Sequence, residues 1–142
     1  MDHVYIMRDP RNHNDIKVGL SINPLDRQKQ LFRTNTPLPF DIHTVWAVSD
    51  HRVAEKIAHG VLAKHRINDR REWFEIVPTQ SDLWFPGIQG DYDTTSVYLD
   101  ALVEVIENAF DYFNMQHHSL NSYEELVHSI SLEDIRFLTY TD

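Results

Sequence analysis

The sequence contains 142 residues, 42% of them hydrophobic and 11% aromatic, which is enough to bury the core of one globular domain of ordinary size. It contains no cysteine, which excludes disulfides and thiolate metal sites, and no apolar run approaches the roughly 20 residues that span a bilayer. The chain opens on the charged pair Asp2-His3 rather than on a signal-peptide pattern, so we expect a cytoplasmic protein with no membrane contact.

The formal net charge of −9 is unevenly distributed. Residues 1–79 carry 12 Lys/Arg and 10 Asp/Glu, whereas residues 80–142 carry 12 acidic residues and one basic residue, Arg136. Because phosphate contacts dominate nucleic-acid affinity, only the first half is suited to lie against DNA. The acidic half is open to four interpretations: a partner surface, an autoinhibitory flap, a nucleic-acid mimic or a solvated face that aids solubility.

The first elements read as a hairpin followed by a helix. Short apolar runs at residues 4–7 and 16–20 flank a stretch of turn-forming residues, which predicts two antiparallel strands. Asn23-Pro24 then opens a helix, because asparagine accepts from free backbone amides and proline suits the first helical turn.

A third strand and a longer helix follow. Phe40, Ile42 and Trp46 alternate with polar residues, as expected for a half-buried strand. Asp50 is placed to cap a helix that we expect to run to about Arg66. Its apolar residues recur at helical spacing and predict one buried stripe: Val53, Ala54, Ile57, Ala58, Val61 and Leu62.

A turn is predicted at residues 68–70 and a strand at 72–77, with Phe74 and Ile76 on one face. We expect Trp73 and Phe74 to close the core against the long helix.

Pro and Gly interrupt the pattern after this strand, so residues 1–78 are predicted to form a core and residues 79–96 an irregular connector. An acidic helical extension is predicted for residues 97–142, with one helix over 97–113 and a second opened by the capping-box signature Ser122-x-x-Glu125.

Several polar signals in the first half occur in a fixed order: His3-Val4-Tyr5, Lys17-Val18-Gly19, Arg27, Glu55 and Glu72-Trp73-Phe74. In this order and spacing they resemble the GIY-YIG endonuclease superfamily, and specifically its phage-type branch, in which lysine replaces the second motif tyrosine. Of the two literal triplets, only Tyr5 and Gly19 keep their identities. The resemblance implies an α+β fold in which a small mixed sheet is flanked by helices.

The resemblance also implies a metal-dependent DNA endonuclease that hydrolyses phosphodiester bonds with one metal ion. Tyr5 would lie near the attacking water, Lys17 and Arg27 would hold phosphate, and Glu55 would bind Mg²⁺ or Mn²⁺. His59, four residues after Glu55, is a candidate general base or partner of that carboxylate. Taken singly, each of these residues also suits a packing or surface role.

The alternative function is that of a non-catalytic binding protein with the same fold. It would hold a nucleotide or phosphate ligand between Tyr5, Lys17 and Arg27, or block a nucleic-acid-binding partner through its acidic half. DNA is the expected partner of the nuclease. The acidic C-terminal helices are candidates for contact with a partner protein or with a second copy of the chain.

Overall fold

The computed structural model describes residues 2–21, 23–33, 40–67, 72–78, 91–122 and 124–130. Within these ranges the elements are β1 (Asp2–Arg8), β2 (Asp15–Ser21), α1 (Pro24–Arg33), β3 (Asp41–Val48), α2 (His51–Val61), a 3-10 turn (Ala63–His65), β4 (Trp73–Glu75), α3 (Tyr92–Tyr112), β5 (His117–Ser119) and α4 (residues 124–130). None of the helices in this part of the chain has the length and apolar character needed to cross a membrane.

The five strands form one sheet in the order β4-β2-β1-β3-β5. The predicted hairpin is confirmed, with Tyr5 of β1 opposite Gly19 of β2. The expected α+β class is also confirmed, but every described pairing is antiparallel, so the sheet is not mixed. The reason is topological: β2 and β3, which α1 connects, run parallel to each other but lie on opposite sides of β1.

Alternate residues of β1 enter two hydrophobic clusters on opposite faces of the sheet. Val4 and Ile6 belong to the cluster covered by α2 and α3, whereas Tyr5 and Met7 belong to the cluster covered by α1 and α4. The sheet is therefore enclosed by helices on both faces, and Tyr5 lies on the α1 face.

The pairing of β3 with β1 shifts by one residue at His43. Phe40 and Ile42, before the shift, pack on the α1 face, whereas Trp46, after it, packs in the cluster of α2 and α3. The predicted alternation placed these three side chains on one face. That part was wrong, because an extra residue in one strand reverses which residues point to each face.

Both predicted helix starts are confirmed, because Asn23 and Asp50 each accept a hydrogen bond from the backbone amide three residues later. Helix α2 ends at Val61 instead of near Arg66, since the chain tightens there into the 3-10 turn. Of its predicted stripe, Ala54, Ala58 and Leu62 are buried and Ile57 and Val61 are partly buried, whereas Val53 is exposed and lines a groove between α2 and α3.

Strand β4 is shorter than predicted, but Phe74 and Ile76 are buried in one cluster as expected. Trp73 points the other way. Its ring lies 5.4 Å from that of Phe40 on the α1 face, so it does not close the core against the long helix. The predicted turn at 68–70 and residues 79–90 of the connector lie outside the described residues.

Helix α3 begins at Tyr92, five residues before the predicted start, because the Asp91 side chain accepts from two backbone amides and caps it there. Its buried residues join the cluster of β1 and α2: Leu99, Ile106 and Phe110. Helix α3 and the elements of residues 1–78 thus bury each other's apolar surface, and the division into core, connector and extension stays a prediction.

The capping signature before α4 is confirmed. Ser122 Oγ accepts from the Glu125 amide at 3.1 Å, and the Glu125 carboxylate accepts from the Asn121 amide at 2.7 Å. His117 and His118 lie in β5, a strand that the sequence did not predict and that pairs with β3.

Candidate active site

Tyr5 and Gly19 lie directly opposite each other across the hairpin. The Tyr5 side chain is 1% exposed and passes over Gly19 so closely that a Cβ added there would lie 2.5 Å from the phenol oxygen. Real Cβ atoms do not approach an oxygen this closely, so the tyrosine can adopt this position only because residue 19 is glycine.

Arg27 acts on the same hydroxyl from α1. Its guanidinium influences the Tyr5 phenol electrostatically, and its Nη1 lies 3.4 Å from Gln30 Oε1. The helix start at Asn23 sets this position, since Arg27 lies one turn into α1 and its amide bonds to the Asn23 carbonyl. The structure therefore brings together the tyrosine and the arginine that the resemblance implied.

Burial raises the pKa of the Tyr5 phenol above its ordinary value of 10.0. The Arg27 guanidinium opposes this shift, whereas the negative charges of Glu72 and Glu55 add to it. Tyr5 is therefore a neutral phenol at physiological pH, able to donate or accept a hydrogen bond but not to act as a phenolate base.

Lys17 lies two residues before Gly19 in β2 and on the same face of the sheet. It is 8% exposed, and its Nζ lies 3.2 Å from Glu72 Oε2 and 5.7 Å from the centre of the Trp73 ring. The carboxylate supplies the opposite charge that offsets the cost of burying the ammonium group. The Lys17 charge therefore lies on the same face of the sheet as Tyr5, but it is paired with Glu72.

Glu55 and His59 both lie on α2, one turn apart and partly buried. The charge of Glu55 adds to the rise in the Tyr5 pKa that burial causes, although α2 and the Tyr5 ring lie on opposite faces of the sheet. His59 Nε2 lies 3.1 Å from the Val18 carbonyl and must donate to it, and the ring packs on Phe74. This contact holds α2 against β2.

Residues 2–88 match the family model of the T5orf172 domain. The chain belongs to the T5orf172 domain family. The domain is phage-associated and nuclease-like, which agrees with the class of protein implied by the order of residues from Tyr5 to Phe74. No curated protein matches the chain. No solved structure matches it either.

Glu55 is a carboxylate of the T5orf172 domain that is suited to a hard cation. Among the described residues, Glu55 makes no hydrogen bond or ion pair, and no group of three or more His, Asp or Glu side chains converges on one point. Mg²⁺ keeps most of its water ligands and is commonly held by one or two carboxylates and substrate phosphate. Glu55 fits that requirement, whereas a dedicated cage of protein ligands is not present in this part of the chain.

Glu72 of the T5orf172 domain is the site residue whose role the sequence did not indicate. It appeared only as part of the Glu-Trp-Phe signal, yet it pairs with Lys17 and its charge acts on Tyr5. The sequence of β2 could have indicated this contact. Lys17 is a cation between the buried residues Ile16 and Val18, and a lysine in that position needs an acidic neighbour.

Proposed function

We propose that this chain is a metal-dependent DNA endonuclease of the GIY-YIG type, in the branch with lysine in the second motif. The observation that carries the proposal is the environment of the Tyr5 hydroxyl: it lies directly over Gly19, and the charges of Arg27, Glu72 and Glu55 all act on it. Packing alone does not require polar and charged groups to meet at one hydroxyl.

The phosphate would be held by the cations of the site. Arg27 presents a planar guanidinium that can bind phosphate oxygens with two hydrogen bonds, and Lys17 supplies a point charge. Tyr5, as a neutral phenol, would orient the attacking water or a phosphate oxygen through its hydroxyl.

Glu55 would hold Mg²⁺ or Mn²⁺, which when bound supplies charge stabilisation at the phosphate and favours ionisation of a water ligand. In the hydrolysis a water oxygen bonds to phosphorus and one ester P–O bond breaks. The departing deoxyribose oxygen takes a proton, leaving a hydroxyl and a terminal phosphate. His59, named above as a candidate general base or partner of Glu55, has its Nε2 bonded to the Val18 carbonyl, so its role in the site would be to hold α2 in place against β2.

Cleavage of supercoiled plasmid tests the proposal. We expect nicked and linear products with Mg²⁺ or Mn²⁺ and none with a chelator. Arg27→Gln should slow cutting by about 100-fold, the usual effect of losing one charge-stabilising donor. Arg11→Gln, at a half-exposed arginine in the hairpin turn, is the matched control and should cut normally. A folded chain that never cuts would contradict the proposal.

The second candidate is a phosphate-binding protein that does not cleave. The Lys17–Glu72 pair favours it, because a site whose lysine is already neutralised holds less uncompensated positive charge for a transition state. Retained binding of DNA or nucleotide by a folded chain that does not cut in either metal would select this candidate.

A further inference from the structure

Helix α3 has three chemically different sides. A helix turns by about 100° per residue, so residues three, four or seven apart share a side. One side is buried against the sheet and includes Leu99, Ile106 and Phe110. The other two sides face outward and differ sharply from each other.

The first outward side is apolar. Val97 is 70% exposed, Val105 50% and Tyr112 80%, and these residues fall on one side of the helix. At its C-terminal end the apolar stripe adjoins a groove of about 620 Å³ between α2 and α3: the Tyr112 ring lies 5.0 Å from the Phe113 ring, and Phe113 lines the groove together with Val53. Exposed apolar side chains grouped on one side of a helix are typical of an interaction site.

The second outward side is acidic. It carries all five acidic residues of α3: Asp93, Asp100, Glu104, Glu107 and Asp111. The helix contains no lysine or arginine, so nothing within it balances these charges. Three of the five have partners on β3 and β5: Asp100 contacts His43, Asp111 contacts His117, and Glu107 accepts hydrogen bonds from Trp46 and Ser119. Glu104 is exposed and makes no bond within the described residues. The apolar stripe is thus bordered along its length by an acidic edge.

We propose that the apolar stripe and its acidic edge bind an amphipathic segment of a partner protein, one with apolar side chains flanked by lysine or arginine. Charge complementarity distinguishes between the molecules that could bind this surface. DNA would be repelled by the acidic edge. A second copy packed antiparallel would bring its own acidic edge against this one, and like charges in contact are unfavourable. A basic amphipathic partner can place its apolar residues on the stripe and its lysine or arginine residues against the acidic edge.

A designed peptide provides the probe. The peptide has the length of α3, with leucine at helical spacing and lysine at the remaining positions. A second peptide, identical except that glutamate replaces every lysine, is the control. We expect fluorescence anisotropy to show that the lysine peptide binds the full chain and that the glutamate peptide does not. Val105→Ser should weaken binding by about tenfold, and Glu104→Gln by about threefold.

Matched controls separate this site from general attraction to an acidic protein. Val127→Ser and Glu124→Gln make the same chemical changes on exposed residues of α4 and should leave binding unchanged. Equal binding of the two peptides, or equal effects of the α3 and α4 variants, would overturn the proposal. So would sedimentation of the unmixed chain as a dimer that Val105→Ser dissociates, because the stripe would then bind a second copy. None of these readouts depends on DNA cleavage.

Discussion

The Tyr5 ring occupies the space in which a side chain at position 19 would begin. A Cβ added to Gly19 would lie 2.5 Å from the phenol oxygen and 2.7 Å from the ring carbon that bears it. The two residues are opposite each other in the hairpin, so neither can move far without shifting the β1–β2 register. Glycine at this position therefore determines where the Tyr5 hydroxyl lies and whether Arg27 can reach it.

Gly19→Ala should destabilise the protein by about 2 kcal/mol, because the tyrosine must leave its position or the strands must separate. The cost should fall by at least about 1 kcal/mol when Tyr5 is replaced by leucine, which is the coupling expected of residues in contact. Urea unfolding of the four variants measures both values. Gly60→Ala is the matched control: nothing lies within 4 Å of its added Cβ, so it should be neutral or stabilising. Equal costs for Gly19→Ala in the two backgrounds would show that the contact does not matter.

Tyr5 should make stability fall at alkaline pH. Its pKa is raised in the folded state, mainly by burial, so the folded chain holds this proton more tightly than the unfolded chain. The resulting stability is complete below pH 10.0 and is lost as the pH rises through the folded-state pKa. Unfolding measured from neutral to alkaline pH should show a shallower decline for Tyr5→Phe. Parallel curves for the two proteins would refute the assignment.

Glu72→Gln should strengthen binding to DNA by about threefold at low salt, because it uncovers the charge of Lys17. The Glu72 side chain is 44% exposed, so the unfolding free energy should change by no more than about 1 kcal/mol. Glu124→Gln removes the same charge from an exposed residue at the start of α4 and serves as the control. A similar gain in the two variants would mean that net charge, and not the Lys17 pair, sets the affinity.

Among the described arginines, Arg8 is the one whose replacement should destabilise the protein most. It is 2% exposed and donates to the His13 carbonyl at 2.7 Å, to Ser96 Oγ at 2.7 Å and to Thr95 Oγ1, so it links the hairpin to the start of α3. Arg8→Met should cost about 3 kcal/mol by leaving these acceptors unpaired. Arg11→Met, at a half-exposed neighbour, should cost less than about 0.5 kcal/mol in the same urea titration. Similar costs would show that the link is dispensable.

Local sequence signals predicted the elements that carry the site. The hairpin and the caps at Asn23 and Asp50 follow from turn chemistry and periodicity within a few residues, and these place Tyr5, Arg27 and Glu55 on the expected strands and helices. Order and spacing along the chain were sufficient for this, because short connections leave few ways to arrange neighbouring elements.

What the sequence did not predict depends on non-local geometry. The shift at His43 moves Trp46 to the opposite face from Phe40, and no periodicity within β3 reports it. Strand β5 has three residues and exists only because β3 offers a free edge. The Lys17–Glu72 pair joins residues far apart in the chain. Each arises from tertiary contact, which overrides local preference.

Single-turnover cleavage of an end-labelled DNA duplex in Mn²⁺, by the full chain and by Glu55→Gln, tests the central claim most directly. Protein in excess saturates binding, so the rate reports chemistry alone. We expect Glu55→Gln to cut at least about 100-fold more slowly, because it loses the carboxylate assigned to the metal, while DNA affinity and unfolding free energy stay near those of the original chain. Equal rates for the two proteins, or no cutting by the original chain when DNA is bound, would contradict the assignment of this site as a metal-dependent nuclease.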